Sequence, residues 1–168
     1  VRIGAAAAKG FAWGRELPCY GVSTLEAMIR AAGWADGIYC AAMDARRNQV
    51  YTALFSLRQG VFTRLMEDSA ISLEELKEKL LALPGEKFLV GDGASLCYNT
   101  LGNDVPALRL LPEHLRQQRA SGVALLAWEM AQQGLSPSGA DLIPNYLRLS
   151  QAERERLKQL STETRERG

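Results

Sequence analysis

Histidine occurs once in these 168 residues, at His114, and cysteine three times, at Cys19, Cys40 and Cys97. A lone histidine cannot build a metal site that needs several converging ligands, and none is expected. His114 follows Pro112 in a polar stretch and reads as a surface or helix-start residue. Three widely spaced cysteines form neither a disulfide framework nor a zinc pattern, which predicts buried, reduced thiols. The His-Glu-x-x-His and Gly-x-Ser-x-Gly patterns are absent, and with them the sequence signs of zinc-peptidase and serine-hydrolase chemistry. No apolar run is long enough to span a bilayer as a helix, and no basic segment leads into a hydrophobic stretch as in a secretion signal. The expectation is a cytoplasmic protein without membrane contact. Net charge is only +1, which leaves little clustered positive charge for gripping nucleic acid.

What is present is ordinarily globular: 47% apolar and 23% charged residues. Such a chain can bury a core without metal or disulfide staples, as one large domain or two small ones. It opens on Val1 and is helical in character from the outset, with no N-cap residue. That predicts a start inside a longer protein.

The central stretch runs from Ile38 to Phe55. Ile38 to Met43 is apolar, Asp44 to Gln49 is polar and turn-like, and Val50 to Phe55 is apolar and rich in β-formers. Tyr51, Ala53 and Phe55 share one face of the second run; Val50, Thr52 and Leu54 share the other. Neither face is charged, which predicts a hairpin at the centre of a sheet covered on both sides. A purely structural hairpin and a catalytic one both fit.

Before it, Arg2 to Trp13 reads as a helix of small residues ending at Gly14. Gly4 and Ala8, and Ala6 and Gly10, lie four apart and let another backbone come close. Each interior glycine costs roughly 1 kcal/mol relative to alanine, so close packing should compensate, within the chain or against a partner. Cys19 to Val22 is expected as a short strand. Ser23 to Glu26 and Ser72 to Glu75 read as capping boxes opening helices. Val61 to Met66 is a third strand, and Lys87 to Val90 a buried one followed by Gly91-Asp92-Gly93. That tripeptide is either a tight strand-to-helix turn or a place where a phosphate approaches a strand end. Ala107 to Leu111 is a further strand. Ala120 to Gln133 is an amphipathic helix with Val123, Leu126, Ala127 and Met130 on its apolar side. Ser136 to Gly139 is a loop, and a charged tail closes the chain.

From Ile38 the order is three strands, then helix, strand, helix, strand, helix. That predicts an α/β mixed sheet with helices on both faces. The helix, strand and helix before it match the end of a second such unit. The architecture is that of the actin-like ATPase (ribonuclease H-like) fold, with residues 1–34 as the remnant of an incomplete first subdomain, 35–149 as the second and 150–168 as the tail.

Four motifs then stand in order. Val1-Arg2-Ile3-Gly4 leads a small-residue helix, and Gly21-Val22-Ser23-Thr24-Leu25-Glu26 follows Glu16-Leu17-Pro18. Asp44-Ala45-Arg46 opens the hairpin turn. Gly91-Asp92-Gly93 precedes Pro144-Asn145-Tyr146-Leu147-Arg148. Together they resemble the TsaB (YeaZ) family of tRNA threonylcarbamoyladenosine biosynthesis proteins. The family's opening strand with Asp-Thr and its Gly-Pro-Gly-Ser-Phe-Thr-Gly loop are missing here. The resemblance implies a non-catalytic scaffold that binds and activates TsaD, with TsaE joining. A homodimer is a further option, and tRNA is met only through the complex. It implies no catalytic residue and no cofactor required by this chain, with ATP or ADP an option at the partner interface. Val1, Ile3, Gly4, Ala7, Ala8 and Phe11 are the expected partner interface. Asp44, Gly91, Asp92 and Gly93 are the expected nucleotide-facing strand ends. The rivals are an actin-like phosphotransferase or ATPase and a glycoprotease-like peptidase.

Overall fold

The computed structural model describes residues 2–147; Val1, Arg148 and the tail expected over 150–168 lie outside the described residues. Helices α1 (Arg2–Trp13) and α2 (Thr24–Ala32) precede β1 (Gly37–Asp44), β2 (Gln49–Arg58) and β3 (Val61–Ser72). Then come α3 (Leu73–Leu81), β4 (Lys87–Val90), α4 (Ala94–Leu101), β5 (Leu108–Leu110), α5 (Glu113–Arg116) and α6 (Ala120–Gln132). The strands form one sheet in the order β3-β2-β1-β4-β5, antiparallel through the first three and parallel from β1 onward. This is the mixed sheet expected of the actin-like, ribonuclease H-like α/β fold.

The alternation read from the sequence sorts the core. Val50 and Leu54 join Cys40, Ala42 and Leu89 under Leu73, Leu76 and Leu80 of α3 and Ala94, Cys97 and Leu101 of α4. Ala53 and Phe55 join Tyr39, Ala41, Phe88 and Val90 under Leu25, Met28, Ile29 and Ala32 of α2. β1 is central because both its faces are apolar and made of small or planar residues that two helical layers can close upon.

Burial also explains the thiols. Cys40 and Cys97 are buried and Cys19 is half-buried, all three unpaired. Burial raises the Cys40 thiol from 9.0 to about 11, against a weaker opposing hydrogen bond from Thr52, and pushes Cys97 higher still. Thiolates are the reactive form. At pH 8 a disulfide reagent should therefore titrate Cys19 first, and Cys40 and Cys97 only after urea unfolding. Three equally fast thiols in the native protein would contradict this packing.

On the α2 side β3 carries two irregularities. Between its pairings to Phe55 and Thr52 it spends five residue steps, Arg64 to Ser69, against three on β2. These bulges re-aim side chains. Arg64 lies 4.5 Å over the Phe55 ring and bonds Asp68 at 2.8 Å and Glu26 at 2.5 Å, while Ser23 donates to Asp68 at 2.6 Å. The result pins the start of α2 to the sheet. Arg64→Ala should lower stability by about 1–3 kcal/mol, since it strands two part-buried carboxylates. Glu67→Ala, at the exposed rim of the same group, should change it by less than about 0.5 kcal/mol. Equal urea midpoints for the two variants would dissolve the distinction.

Several local expectations need correction. Cys19 to Val22 is no strand; Cys19 N–H donates to Pro137 O at 2.8 Å, and no sheet strand pairs with the segment among the described residues. Gly14 is not the left-handed residue after α1; Glu16 is, at φ 50°. Ser23 and Ser72 accept from the amides of Glu26 and Glu75, but those carboxylates turn to Arg64 and Lys79 instead of reaching back. The reciprocal capping box stands at Ser138 and Asp141, inside what reads as a loop. α6 buries Gly122 and Leu126, and Val123 is exposed, because Gly122 brings α6 so near α2 that a Cβ there would sit 2.0 Å from Ala27 O. The buried stripe is set by this approach and not by the largest side chains.

Candidate functional site

Two places gather the residues singled out from the sequence. The first is α1. Ala12 is its one buried residue, with Ala5 and Lys9 half-buried on the same side. That side faces residues 135–146. Lys9 Nζ donates to Ala140 O at 3.4 Å, the Arg2 guanidinium donates to the Tyr146 hydroxyl at 3.0 Å, and it also lies over the Tyr146 ring. At about 100° per residue, Ile3, Gly4, Ala7 and Phe11 fall on the opposite side of the helix. Ile3 is 88% exposed and Phe11 63%, and Gly4 and Ala8 are exposed too. A Cβ added at Gly4 or Gly10 meets nothing within 4 Å. The small-residue seam is therefore not filled by the described residues. Trp13, 78% exposed, lies on the flank of the helix between the two sides and was not signalled by the spacing.

The second place is the carboxyl end of the sheet. β1 and β4 run parallel in register, Ala41 beside Val90, so Asp44 and Gly91-Asp92-Gly93 come together. Their groups are already committed. Gly91 N–H donates to Arg116 O at 2.8 Å and Gly93 N–H to Ala42 O at 3.0 Å. Asp44 accepts from Arg46 N–H at 2.7 Å within a turn where Arg46, Arg47 and Asn48 are all left-handed. A Cβ at Gly91 would lie 2.1 Å from Ala42 O, and one at Gly93 2.9 Å from Asp44 N. The glycines thus let the turn press onto β1, which is the structural of the two readings. Asp92 alone points to solvent. Sequence reading missed Arg116, half-buried beside this turn, whose Nη1 donates to Ser95 Oγ at 2.7 Å. No periodic signal marks a residue on a four-residue helix.

A cleft of about 260 Å³ opens between the starts of α2 and α6, lined by Thr24, Met28, Gln118, Arg119 and Val123. His114 is exposed on α5. No group of three or more His, Cys, Asp or Glu able to hold a metal occurs among the described residues, and no helix among them is long and apolar enough to cross a membrane.

Comparison with known proteins adds the relations. Residues 1–156 match the family model described as TsaD, tRNA N6-adenosine threonylcarbamoyltransferase. The chain is 32% identical over 158 residues to the tRNA threonylcarbamoyladenosine biosynthesis protein TsaB of Bacillus subtilis, covering 91% of this chain and 66% of that protein. It is 32% identical over 151 residues to TsaB of Escherichia coli, covering 88% and 64%. The chain thus spans a little under two thirds of the length of these relatives. In fold it resembles a Pseudomonas aeruginosa protein described as similar to peptidase YeaZ (TM-score 0.70, 24% identity, 88% of this chain and 67% of that one). It likewise resembles YeaZ of Pseudomonas aeruginosa (TM-score 0.62, 22% identity, 87% and 68%).

Proposed function

We propose a function from a plain premise: this chain belongs to the TsaB (YeaZ) family and matches the broader threonylcarbamoyltransferase family model along most of its length. From it follows a scaffold subunit of tRNA N6-threonylcarbamoyladenosine synthesis, which docks and activates TsaD and leaves bond-making to that partner. TsaE joins the assembly, tRNA is met through the complex, and the setting is the cytoplasm. ATP or ADP, where it takes part, sits at the partner interface. Residues 1–34 serve as the docking part and 35–149 as the body that carries it.

The observation that carries this reading is the uncovered apolar side of α1. Ile3, Ala7 and Phe11 line one side while the opposite side is held by residues 135–146. Monomeric proteins seldom expose contiguous large apolar patches without a partner for them. The strand-end cluster supports a phosphotransferase less well, because its glycine amides and Asp44 are engaged within the fold.

The test is to co-purify the protein with TsaD from the same cell and assay threonylcarbamoyl transfer to tRNA. Stable complex formation and activity only of the mixture support the scaffold reading. Transfer by this protein alone, or no complex with TsaD, would sink it. Turnover of ATP with magnesium by the protein alone would favour the phosphotransferase instead.

A further inference from the structure

We propose that the carboxyl end of the sheet is a docking surface for single-stranded RNA, with arginines on the phosphates and one unstacked base in the cleft between α2 and α6. The inference deepens the reading of this protein as part of tRNA modification and rests on it.

Three segments meet at that end. The β1–β2 turn follows Asp44, the Gly91-Asp92-Gly93 turn follows β4, and residues 116–119 lead from α5 to α6. They touch through the bond from Gly91 N–H to Arg116 O, through the close approach of Gly93 to Asp44 N, and through Gln118 Nε2, which lies 3.6 Å from Met43 Sδ. The first and third segments bring four arginines together: Arg46, Arg47, Arg116 and Arg119. A net charge of +1 does not describe how the charges are placed. Elsewhere in the fold cations are neutralised in pairs. Arg30 faces Glu129, Arg64 faces Glu26 and Asp68, Arg109 faces Glu86, and Lys77 faces Asp104. Here Arg47, Arg116 and Arg119 form no ion pair among the described residues, and no acidic residue stands in the first turn of α6. Arg47 and Arg119 are exposed, and the Arg46 side chain is 87% exposed while one of its nitrogens lies 3.5 Å from Asp44. Asp92 and Glu113 stand exposed at the margin and temper the field, so binding should be weak and salt-sensitive.

The turn carries strain that a plain hairpin has no need of. Arg46, Arg47 and Asn48 are left-handed in succession, at φ 63°, 56° and 56°. Side chains cost free energy in that conformation, and glycine would relieve it. Backbone of this kind gathers at ligand clamps. In this turn the strained run presents two adjacent arginines to solvent.

The cleft of about 260 Å³ supplies the place for a base. Ala27 and Met28 are buried at its floor, Val123 forms a wall, and Thr24, Gln118 and Arg119 bring polar groups to its rim. Gln118 belongs to both features, since its amide also reaches Met43 at the end of β1. Single-stranded RNA is recognised in this manner, by unstacked bases on apolar or guanidinium surfaces with hydrogen bonds to their edges. The planar fork of arginine matches phosphate oxygens two at a time. A lone nucleoside triphosphate fits less well, because the amides of Gly91 and Gly93 that could cradle its phosphates are engaged within the fold.

The experiment is fluorescence anisotropy of the full chain with a labelled single-stranded RNA of about twelve nucleotides. About three phosphate contacts predict a roughly 20-fold loss of affinity between about 50 and about 200 mM salt. Arg47→Ala with Arg119→Ala should weaken binding at least about 10-fold at low salt and flatten the salt slope by about 1.4. Arg58→Ala, an exposed arginine at the other end of β2, should leave both where they are. Val123→Trp fills the cleft from an exposed position, and should lower affinity about 5-fold or more with the slope unchanged. Urea midpoints equal to that of the parent show that each variant is folded. No binding of RNA, an Arg47/Arg119 variant that binds like the Arg58 variant, or poly-glutamate bound as tightly as RNA would overturn the proposal; an unaffected Val123 variant would remove the base from the cleft. TsaD binding is measured separately, so loss of this inference and loss of the scaffold reading are told apart.

Discussion

Gly91→Ala is expected to lower stability by about 3–5 kcal/mol, a large share of the roughly 5–15 kcal/mol that holds a domain folded. Two terms combine. The residue sits at φ +99°, where an L side chain costs about 1–2 kcal/mol. Its Cβ would then lie 2.1 Å from Ala42 O, on the central strand one residue past its pairing with β4, where the carbonyl cannot yield without disturbing its bond from Gly93 N–H and the pairing of Ala42 with Thr52. Gly85→Ala separates the terms: its φ is +87°, but a Cβ there meets nothing within 4 Å. It should cost only the conformational part, about 1–2 kcal/mol. Urea midpoints at constant m-value measure both. Equal losses for the two variants would mean that the turn does not press on β1. Asp92→Asn in the same turn should leave the midpoint where it is, since that side chain is exposed.

The same contrast shows what a sequence discloses and what it hides. Strand faces were legible because the period is two: Tyr51, Ala53 and Phe55 fell to one side and Val50, Thr52 and Leu54 to the other without exception. The element order from Ile38 was legible for the same reason, and with it the fold. Hidden were features made by close approach of distant segments. Gly122 against Ala27 O decides which side of α6 is buried, and no spacing within α6 reveals it. The two bulges of β3 are equally silent, although they bring Arg64 and Asp68 to the start of α2. At the candidate site, the helical spacing marked α1's small-residue side and left open what lies on it. The clasp from residues 135–146 onto the opposite side needed the folded chain, since Arg2 and Tyr146 are 144 positions apart. The Ser138-x-x-Asp141 box is the exception: the pattern stands in the sequence, inside a stretch that otherwise reads as loop.

Gly4→Leu is expected to move stability and partner binding in opposite directions, which makes it the sharpest test of the docking face. Inside a helix, leucine replaces glycine with a gain of roughly 0.5–1 kcal/mol, and the new Cβ enters open space. The isolated protein should therefore melt slightly later. If a TsaD backbone packs on the seam of Gly4 and Ala8, the same side chain holds the two surfaces apart and should weaken binding at least 100-fold, about 2.7 kcal/mol. Ile3→Asp with Phe11→Asp should lower affinity as much by desolvating carboxylates at the interface centre, while leaving the urea midpoint unchanged, because both native side chains are exposed. Titration calorimetry against TsaD, paired with urea unfolding of each variant, gives both readouts. Affinity unchanged in all of these variants would place the partner elsewhere. The exposed side of α6, with Leu125 and Trp128, would then be the apolar surface to substitute next.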